Sequence, residues 1–239
     1  MPNDALLLIK NAAHEGAGLL EDVLLERTIS YHTVELTDGQ AIPDPRNFAG
    51  VVVFGGPQSV NDNTPSMQAE LRALEQILAD EIPYLGICLG MQALVKTAGG
   101  KVLRCQAKEI GFYDTDGAPY TIELTEEGKN DPLFANLEHT FRVFQLHGET
   151  VEMPANGVTL LGYGSQCPIQ AVRAGRCAYG LQCHFELTPE MFAYWCKFDA
   201  DLKRMDQAML QQQFTEIQQT YIATGKTLLT NFLTIAHLL

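Results

Sequence analysis

A short stretch in the first half of the chain has the spacing of a nucleophile placed at a sharp turn. An apolar run over residues 83–87 leads into Gly86-x-Cys88-x-Gly90, and helix-like sequence follows over residues 89–98. A strand that turns sharply into a helix strains its corner residue, and side chains two positions to either side would collide. Gly86 and Gly90 remove those side chains. Cys88 would then begin a helix, where the positive end of the helix dipole favours the reactive thiolate.

Cys88 also has an ordinary explanation, because most free cysteines are buried and pack as small apolar side chains. A thiolate nucleophile needs a base and a group that orients the base. His184 and Glu186 are two positions apart, so in an extended segment both side chains face the same side. The imidazole would take the thiol proton and later give it to a departing amine, while the carboxylate fixes the ring. On spacing alone, a core histidine and a carboxylate at a helix N-terminus explain the pair equally well.

Acyl chemistry at Cys88 would also need backbone N–H groups aimed at the developing negative oxygen. Gly55-Gly56-Pro57 follows a buried apolar run, and glycines let the backbone approach a ligand closely. The N–H of Leu89, directly after the candidate nucleophile, would be the second donor. We therefore predict an oxyanion hole formed by Gly56 and Leu89, although Gly-Gly-Pro is by itself a common turn.

The composition excludes several classes of partner. The chain has 239 residues with a formal net charge of −13, which would repel nucleic acid and anionic membrane surfaces. No apolar stretch is long enough to span a bilayer, and residues 1–10 lack the features of a signal peptide. We expect a cytoplasmic protein with reduced thiols and neither a metal site nor a cofactor, because the cysteines show no zinc-like spacing. The six cysteines are Cys88, Cys105, Cys167, Cys177, Cys183 and Cys196.

The elements that would position these residues alternate between strand and helix. We predict strands at 5–9, 31–36, 50–54 and 83–88, and helices at 19–27, from 65 onward, and at 89–98. This pattern is typical of a parallel sheet covered by helices on both faces. Sites in such sheets lie at the carboxyl ends of the strands, which is where Gly55, Gly56 and Cys88 fall.

The second half of the chain has a different pattern of predicted elements. Short β-like runs separated by turn residues recur over residues 101–184 and predict an antiparallel or mixed extension of the same sheet, including one strand over 141–146. A helix is predicted to begin at Pro189 and to continue through Tyr221, with Gly225 breaking it before a last apolar helix. We expect one domain over residues 1–195 and a C-terminal helical extension over residues 196–239 packed on it.

Three blocks of sequence together resemble the class I glutamine amidotransferases. They are residues 55–62 (GGPQSVND), residues 86–92 (GICLGMQ) and residues 184–186 (HFE), which occur in the family's order and rough spacing. The resemblance is closest to the glutaminase half of GMP synthase and its stand-alone relatives. It implies a flavodoxin-like, three-layer α/β fold. It also implies hydrolysis of the glutamine side-chain amide to glutamate and ammonia, with Cys88, His184 and Glu186 as the catalytic residues of a thioester mechanism.

The same resemblance assigns a substrate pocket and leaves the partners open. Gln92 would hold the amino-acid end of the substrate, and Gly55, His147 and Gly148 would line its pocket. The family usually has proline where this chain has Phe185, which leaves the local turn uncertain. No nucleotide-binding motif is present. Either a separate synthase subunit receives the ammonia, or the chain acts alone on a γ-glutamyl peptide or conjugate. A homo-oligomer and a non-catalytic binding or regulatory protein remain open alternatives.

Overall fold

A nine-stranded sheet forms the middle layer of the part of the molecule that the computed structural model describes, residues 4–13 and 15–239. The expectation of no signal peptide falls partly on residues 1–3, which lie outside the described residues. The sheet order is β2-β1-β3-β4-β11-β10-β9-β6-β7, and β5 pairs separately with β8. The strands are β1 (Ala5–Lys10), β2 (Ser30–Glu35), β3 (Gly50–Val53), β4 (Tyr84–Ile87), β5 (Lys101–Gly111), β6 (Thr121–Leu124), β7 (Thr140–Arg142), β8 (Gln145–Glu152), β9 (Val158–Tyr163), β10 (Ala171–Ala174) and β11 (Ala178–Leu181).

Helices cover both faces of this sheet, as the alternation of elements predicts. They are α1 (Leu19–Glu26), α2 (Pro65–Ala79), α3 (Leu89–Thr97), α4 (Glu126–Lys129), α5 (Pro189–Phe198) and α6 (Gln207–Ile235). Successive residues of a strand point to opposite faces. Leu6 and Leu8 of β1 therefore pack in one core with α1 and α6, whereas Leu7 and Ile9 pack in another with α2 and α3. The predicted three-layer α/β fold is confirmed.

The half of the sheet that carries the predicted elbow is parallel. β2, β1, β3, β4 and β11 run in one direction, with β11 inserted beside β4 from far along the chain. β10, β9, β6 and β7 then continue the sheet antiparallel, so the predicted extension is confirmed. Two details are wrong. β5 and β8 form a sheet of their own, and the single strand predicted over 141–146 is divided between β7 and β8.

The C-terminal helices also differ from the prediction. A 3-10 turn at Leu202–Arg204 interrupts the predicted continuous helix, because the Asp199 carboxylate accepts hydrogen bonds from the N–H groups of Asp201 and Leu202. Gly225 does not break the last helix. α6 passes through it without interruption for 29 residues, at a point where the helix lies directly against another backbone segment.

The chain shows no candidate for a membrane span among its described helices, α6 included. α5 crosses the predicted boundary between residues 195 and 196. The division into a domain over 1–195 and an extension over 196–239 stays a prediction.

Candidate active site

Cys88 occupies a strained corner between β4 and α3. Its backbone has φ 52° and ψ −102°, a conformation that costs energy for any residue with a side chain. A Cβ atom at Gly86 would collide with the backbone of Gly90, and one at Gly90 would lie 2.5 Å from the carbonyl oxygen of Val53. The steric reason for the spacing is thus confirmed. The turn leaves Cys88 7% exposed, at the carboxyl end of a central strand.

His184 and Glu186 lie behind Cys88 and are almost fully buried. The Nδ1 atom of His184 is 2.7 Å from Oε1 of Glu186, whose Oε2 accepts a hydrogen bond of 2.8 Å from the N–H of Phe185. A hydrogen bond joins His184 to Cys88. Burial by itself would lower the pKa of His184, but the charge of Glu186 and these hydrogen bonds raise that pKa well above its usual value. The structure therefore brings the predicted sulfur, imidazole and carboxylate together in this order.

The local backbone around His184 is not the extended strand from which this pairing was predicted. β11 ends at Leu181, and His184 forms an isolated bridge with Phe144, with N–H···O distances of 2.8 and 3.2 Å. The carbonyl of Glu186 accepts a hydrogen bond of 2.7 Å from the N–H of Leu19, the first residue of α1. His184 and Glu186 thus meet because distant segments hold both ends of a short loop.

The C-terminal helices hold the same loop from the other side. The hydroxyl of Tyr221, in α6, donates a hydrogen bond of 3.0 Å to the carbonyl of His184. The ring of Trp195, in α5, meets the imidazole edge-on with a centroid distance of 4.8 Å. A Cβ atom at Gly225 would overlap the carbonyl oxygen of Phe185. Sequence reasoning missed these supporting roles, because the apolar spacing of the helices indicates only a core.

The candidate oxyanion donors belong to the cleft around Cys88. Gly56 and Leu89 line the same cleft as Cys88. The N–H of Leu89 is in the first turn of α3, where N–H groups have no partner within the helix. Asn11 fixes the glycine loop, since its side chain donates a hydrogen bond of 3.3 Å to the carbonyl of Phe54 and accepts one of 3.0 Å from Gln58. Both predicted donors thus border the cleft that contains Cys88, and their role as an oxyanion hole stays a prediction.

The predicted substrate residues are divided between the cleft and the layer beneath it. Gln92, His147 and Gly148 line the cleft. The side-chain amide of Gln92 donates hydrogen bonds of 3.2 Å to Oε1 of Gln182 and to the carbonyl of Glu149. Gln182, which sequence reasoning missed, in turn donates to Sγ of Cys88 at 3.5 Å. A substrate-binding role for these residues stays a prediction.

Gly55 lies under the cleft rather than in its lining. A Cβ atom there would collide with the carboxylate of Glu15 and would lie 3.1 Å from Cε1 of His184. The glycine therefore leaves room for two buried side chains to meet. The substrate-binding role predicted for Gly55 is not tested by this placement.

A second cluster of cysteine, histidine and carboxylate lies in the wall formed by β5 and β8. Nε2 of His147 is 2.8 Å from Oε2 of Glu109, and its Nδ1 is 2.9 Å from the carbonyl of Glu149. Glu109 also accepts hydrogen bonds from the N–H of Cys167 at 3.1 Å and from the amide of Gln170 at 3.0 Å. Donor atoms of Glu109, His147 and Cys167 lie within 4.8 Å of one another, close enough to serve as metal ligands, but each already has a hydrogen-bond partner.

Hydrogen bonding also sets the state of the thiol in this second cluster. A hydrogen bond with Cys105, together with one from Thr150 and the charge of His147, outweighs burial and lowers the pKa of Cys167 to about 6. No short sequence pattern links Glu109, Cys105 and Cys167, so sequence reasoning had no signal from which to predict the cluster.

The cleft above Cys88 has a volume of about 560 Å³. Its lining mixes charges of both signs, with Arg104 and Lys108 from β5 facing acidic side chains. These acidic residues are Glu149, Asp199 and Asp201. Such a cleft suits a ligand that carries both an ammonium and a carboxylate group.

Comparison of sequences places these features in context. The family model described as glutamine amidotransferase class-I matches residues 16–196. A glutamine amidotransferase-like protein of Salmonella typhimurium, YfeJ, is 35% identical over 171 residues, which is 68% of this chain and 66% of that protein. The GMP synthase [glutamine-hydrolyzing] of Thermosipho melanesiensis is 34% identical over 147 residues, which is 61% of this chain but only 26% of the synthase. The chain thus spans about a quarter of that synthase and just under two thirds of the Salmonella protein.

Comparison of structures extends the likeness over nearly the whole chain. A glutamine amidotransferase of Thermotoga maritima superposes with a TM-score of 0.85 and 27% identity, covering 97% of this chain and 99% of the other. A glutamine amidotransferase of Methylobacillus flagellatus gives a TM-score of 0.86 at 21% identity over 98% and 95% of the two chains, which shows a shared fold. Both alignments include the region of α6.

Proposed function

The chain belongs to the class I glutamine amidotransferase family, and we propose that it is a cysteine amidohydrolase that releases ammonia from the side-chain amide of glutamine. The observation that carries this proposal is the chain of hydrogen bonds that begins at the elbow and runs from Cys88 through His184 to Glu186. Cys88 stands in a strained conformation at the beginning of α3, is hydrogen bonded to His184, and His184 is bonded to Glu186. A strained backbone that is kept at a cleft is typical of a functional residue.

The proposed reaction has two halves, in which a thioester with Cys88 first forms and is then hydrolysed. The sulfur of Cys88 attacks the amide carbon, and the negative oxygen that develops is stabilised by the N–H groups of Gly56 and Leu89. His184, which has taken the thiol proton, gives it to the departing nitrogen, so ammonia leaves and a γ-glutamyl thioester remains. Water then attacks the thioester carbon while His184 accepts its proton, and the thiol and glutamate are released. Glu186 holds the ring and supports its charge throughout.

The test measures ammonia release from glutamine by the wild type and by Cys88→Ala. We expect the variant to lose activity by about 10⁴-fold or more, because the covalent route disappears with its nucleophile. Cys177→Ala is the matched control, since Cys177 is partly buried near the start of β11 and its thiol donates to the carbonyl of Glu81. A Cys88→Ala variant that keeps its activity would refute the proposal.

Hydroxylamine tests the thioester itself. A γ-glutamyl thioester transfers its acyl group to hydroxylamine to give γ-glutamyl hydroxamate, whereas direct attack of water on glutamine gives none. We expect hydroxamate from the wild type and none from Cys88→Ala. Ammonia release without hydroxamate at saturating hydroxylamine would mean that no acyl-enzyme forms.

A γ-glutamyl peptide or conjugate is the second candidate substrate, and the volume of the cleft favours it. A cavity of about 560 Å³ is at least as large as many sites for drug-sized ligands, and Arg104 of its lining could contact a carboxylate beyond the γ-amide. The test compares kcat/KM for glutamine with kcat/KM for a panel of γ-glutamyl dipeptides. A preference for the dipeptides by tenfold or more would select this candidate, and a preference for glutamine would reject it.

A separate synthase subunit as the ammonia acceptor belongs to the same proposal. The matched GMP synthases are several times longer than the region they share with this chain. The test measures glutamine hydrolysis by the purified chain alone. If the purified chain hydrolyses glutamine without any other polypeptide, no partner is needed to activate the site.

A further inference from the structure

The proposed mechanism makes no use of a second buried carboxylate near the imidazole, that of Glu15. Both side chains approach Gly55 on the side where a Cβ atom would stand, since that atom would collide with Oε2 of Glu15 and lie 3.1 Å from Cε1 of His184. Glu186 occupies the neighbouring Nδ1 position of the same ring. The imidazole therefore has one carboxylate at its Nδ1 atom and a second facing its Cε1 edge.

Glu15 is buried with one of its two carboxylate oxygens unsatisfied. It is 7% exposed, and its Oε2 atom has no hydrogen-bond partner within the described part of the chain. A buried carboxylate oxygen without a partner is costly, and native proteins rarely keep one without a functional reason. A cavity of about 70 Å³, large enough for a small number of water molecules, borders Glu15 together with Gly56, Pro57, Leu146, Trp195 and Asp199.

The charges around Glu15 make its ionisation sensitive to the state of the site. Four effects together raise the pKa of Glu15 to about 7: burial raises it most, the positive charge of His184 lowers it, and the negative charges of Glu186 and Asp199 raise it. These are the titratable groups that face it from the loop after β11 and from the segment after α5. Because such coupling is reciprocal, an ionised Glu15 must favour the charged form of His184 by the same amount.

We propose that Glu15 is a positioning residue for His184: its carboxylate, held at the Cε1 edge of the ring by Gly55, stabilises the imidazolium that pairs with the Cys88 thiolate. The assignment deepens the proposed function, because it concerns the same imidazole. It differs from the role of Glu186, which hydrogen bonds to the ring and fixes its orientation. Glu15 acts on the ring only through its charge.

The direct test follows the titration of His184 by NMR with ¹⁵N-labelled histidine. The measurement uses Cys88→Ala as the background, so that the thiol does not titrate with the ring, and His184→Gln assigns the signal. We expect Glu15→Gln to move the midpoint of the His184 titration down by about one pH unit, because a negative charge near the imidazolium is lost. Glu15→Ala, which also lacks the charge and leaves room for water, should show a shift in the same direction.

Glu70 offers a matched control for burial. Its carboxylate is also fully buried, and desolvation also raises its pKa to about 7, although an interaction with the Asn11 side chain acts in the opposite direction. It lies in α2 near Asn11 and Tyr84 rather than against His184. Glu70→Gln should therefore leave the His184 midpoint in place. An unchanged midpoint in a folded Glu15→Gln or Glu15→Ala protein would overturn the inference, even if either variant lowered thermal stability.

Turnover gives an independent readout that separates this inference from the proposed function. With the thiol present, the alkaline limb of kcat/KM for glutamine should move to lower pH in Glu15→Gln by about the same amount as the NMR midpoint. A shifted midpoint in a protein that hydrolyses neither glutamine nor γ-glutamyl peptides would support the role of Glu15 and reject the proposed function. Normal hydrolysis with an unshifted NMR midpoint and an unshifted alkaline limb would support the proposed function and reject the role of Glu15.

Discussion

Two clusters of this molecule contain the same three kinds of side chain. One joins Cys88 to His184 and Glu186 at the elbow, and the other joins Cys167 to His147 and Glu109 in the wall of β5 and β8. In both, a buried histidine nitrogen lies within 2.8 Å of a carboxylate oxygen. Residue types alone therefore do not indicate which of the two clusters does chemistry.

The difference lies in the backbone and in what each sulfur faces. Cys88 is at φ 52°, begins a helix and opens on the cleft beside Gly56 and Leu89. The sulfur of Cys167 is hydrogen bonded within its own cluster, to Thr150 and to the carbonyl of Ile169, and Glu109 beside it has three donors. A lowered pKa at Cys167 thus reflects a closed network. The comparison teaches that thiolate character identifies a nucleophile only where the sulfur also faces a substrate and oxyanion donors.

Removing each histidine in turn is the change with the largest expected effect. We predict that His184→Ala lowers kcat for glutamine by about 10⁴-fold, because both proton transfers are lost, and that His147→Ala lowers it by less than tenfold per folded molecule. Steady-state ammonia release gives both values. His139→Ala, at an exposed histidine, is the control. Equal losses in the two cluster variants would remove the distinction between the clusters.

The two carboxylates should separate activity from stability. We predict that Glu186→Gln lowers kcat by about 10²- to 10⁴-fold, because the amide cannot support the charged imidazole, with a smaller change in the free energy of unfolding. Ammonia release and urea denaturation measure the two quantities. A kcat that stays within threefold of the wild type would mean that Glu186 is not the orienting group.

Glu109→Gln should show the opposite pattern. Removing the buried carboxylate is expected to cost about 3 kcal/mol in the free energy of unfolding, because three buried donors lose their ionised acceptor. Activity per folded molecule should fall by less than tenfold. If this substitution lowered kcat as strongly as Glu186→Gln, the wall cluster would have to be part of the catalytic machinery.

Gly225→Ala tests the support that only the first cluster receives from α6. The added methyl group would overlap the carbonyl of Phe185, so the helix or the histidine loop must move. We predict a fall in kcat of about tenfold, with a loss of stability of about 2 kcal/mol. Ala223→Gly, at an exposed position of the same helix, should cost about 1 kcal/mol of stability and leave kcat unchanged.

The smallest effect is expected at the sulfurs of the wall. Cys167→Ala and Cys105→Ala should each keep kcat within about threefold of the wild type, because neither sulfur contacts Cys88 or the oxyanion donors. Initial rates with glutamine under reducing conditions give the comparison. An essential Cys105 or Cys167 would mean that the nucleophile has been assigned to the wrong cluster.

What the sequence could predict depended on how local each feature is. The elbow was predictable because its steric requirement is local: side chains at positions 86 and 90 would collide with nearby backbone when Cys88 stands at the corner. The pairing of His184 with Glu186 was predicted correctly, but for a strand that is in fact a loop held by Leu19, Phe144 and Tyr221. Only the tertiary structure supplies those contacts.

The features that the sequence did not predict also depend on tertiary contacts. Gly225 looked like a helix breaker because glycine is a poor helix former, but packing against Phe185 requires it there and overrides the propensity. Glu109 and Cys167 are 58 residues apart and meet only through the folding of β5 and the loop before β10, so no spacing in the sequence indicates them. Glu15 is likewise brought to His184 only by the close approach that Gly55 permits.

The hydrogen bond from Tyr221 to the carbonyl of His184 has a consequence for how the molecule responds to a ligand. Because this bond ties the backbone of His184 to α6, we expect a ligand that restrains the imidazole to restrain the middle of α6 as well. Amide exchange in that helix, far along the chain from the reacting sulfur, would then report whether the cleft is occupied.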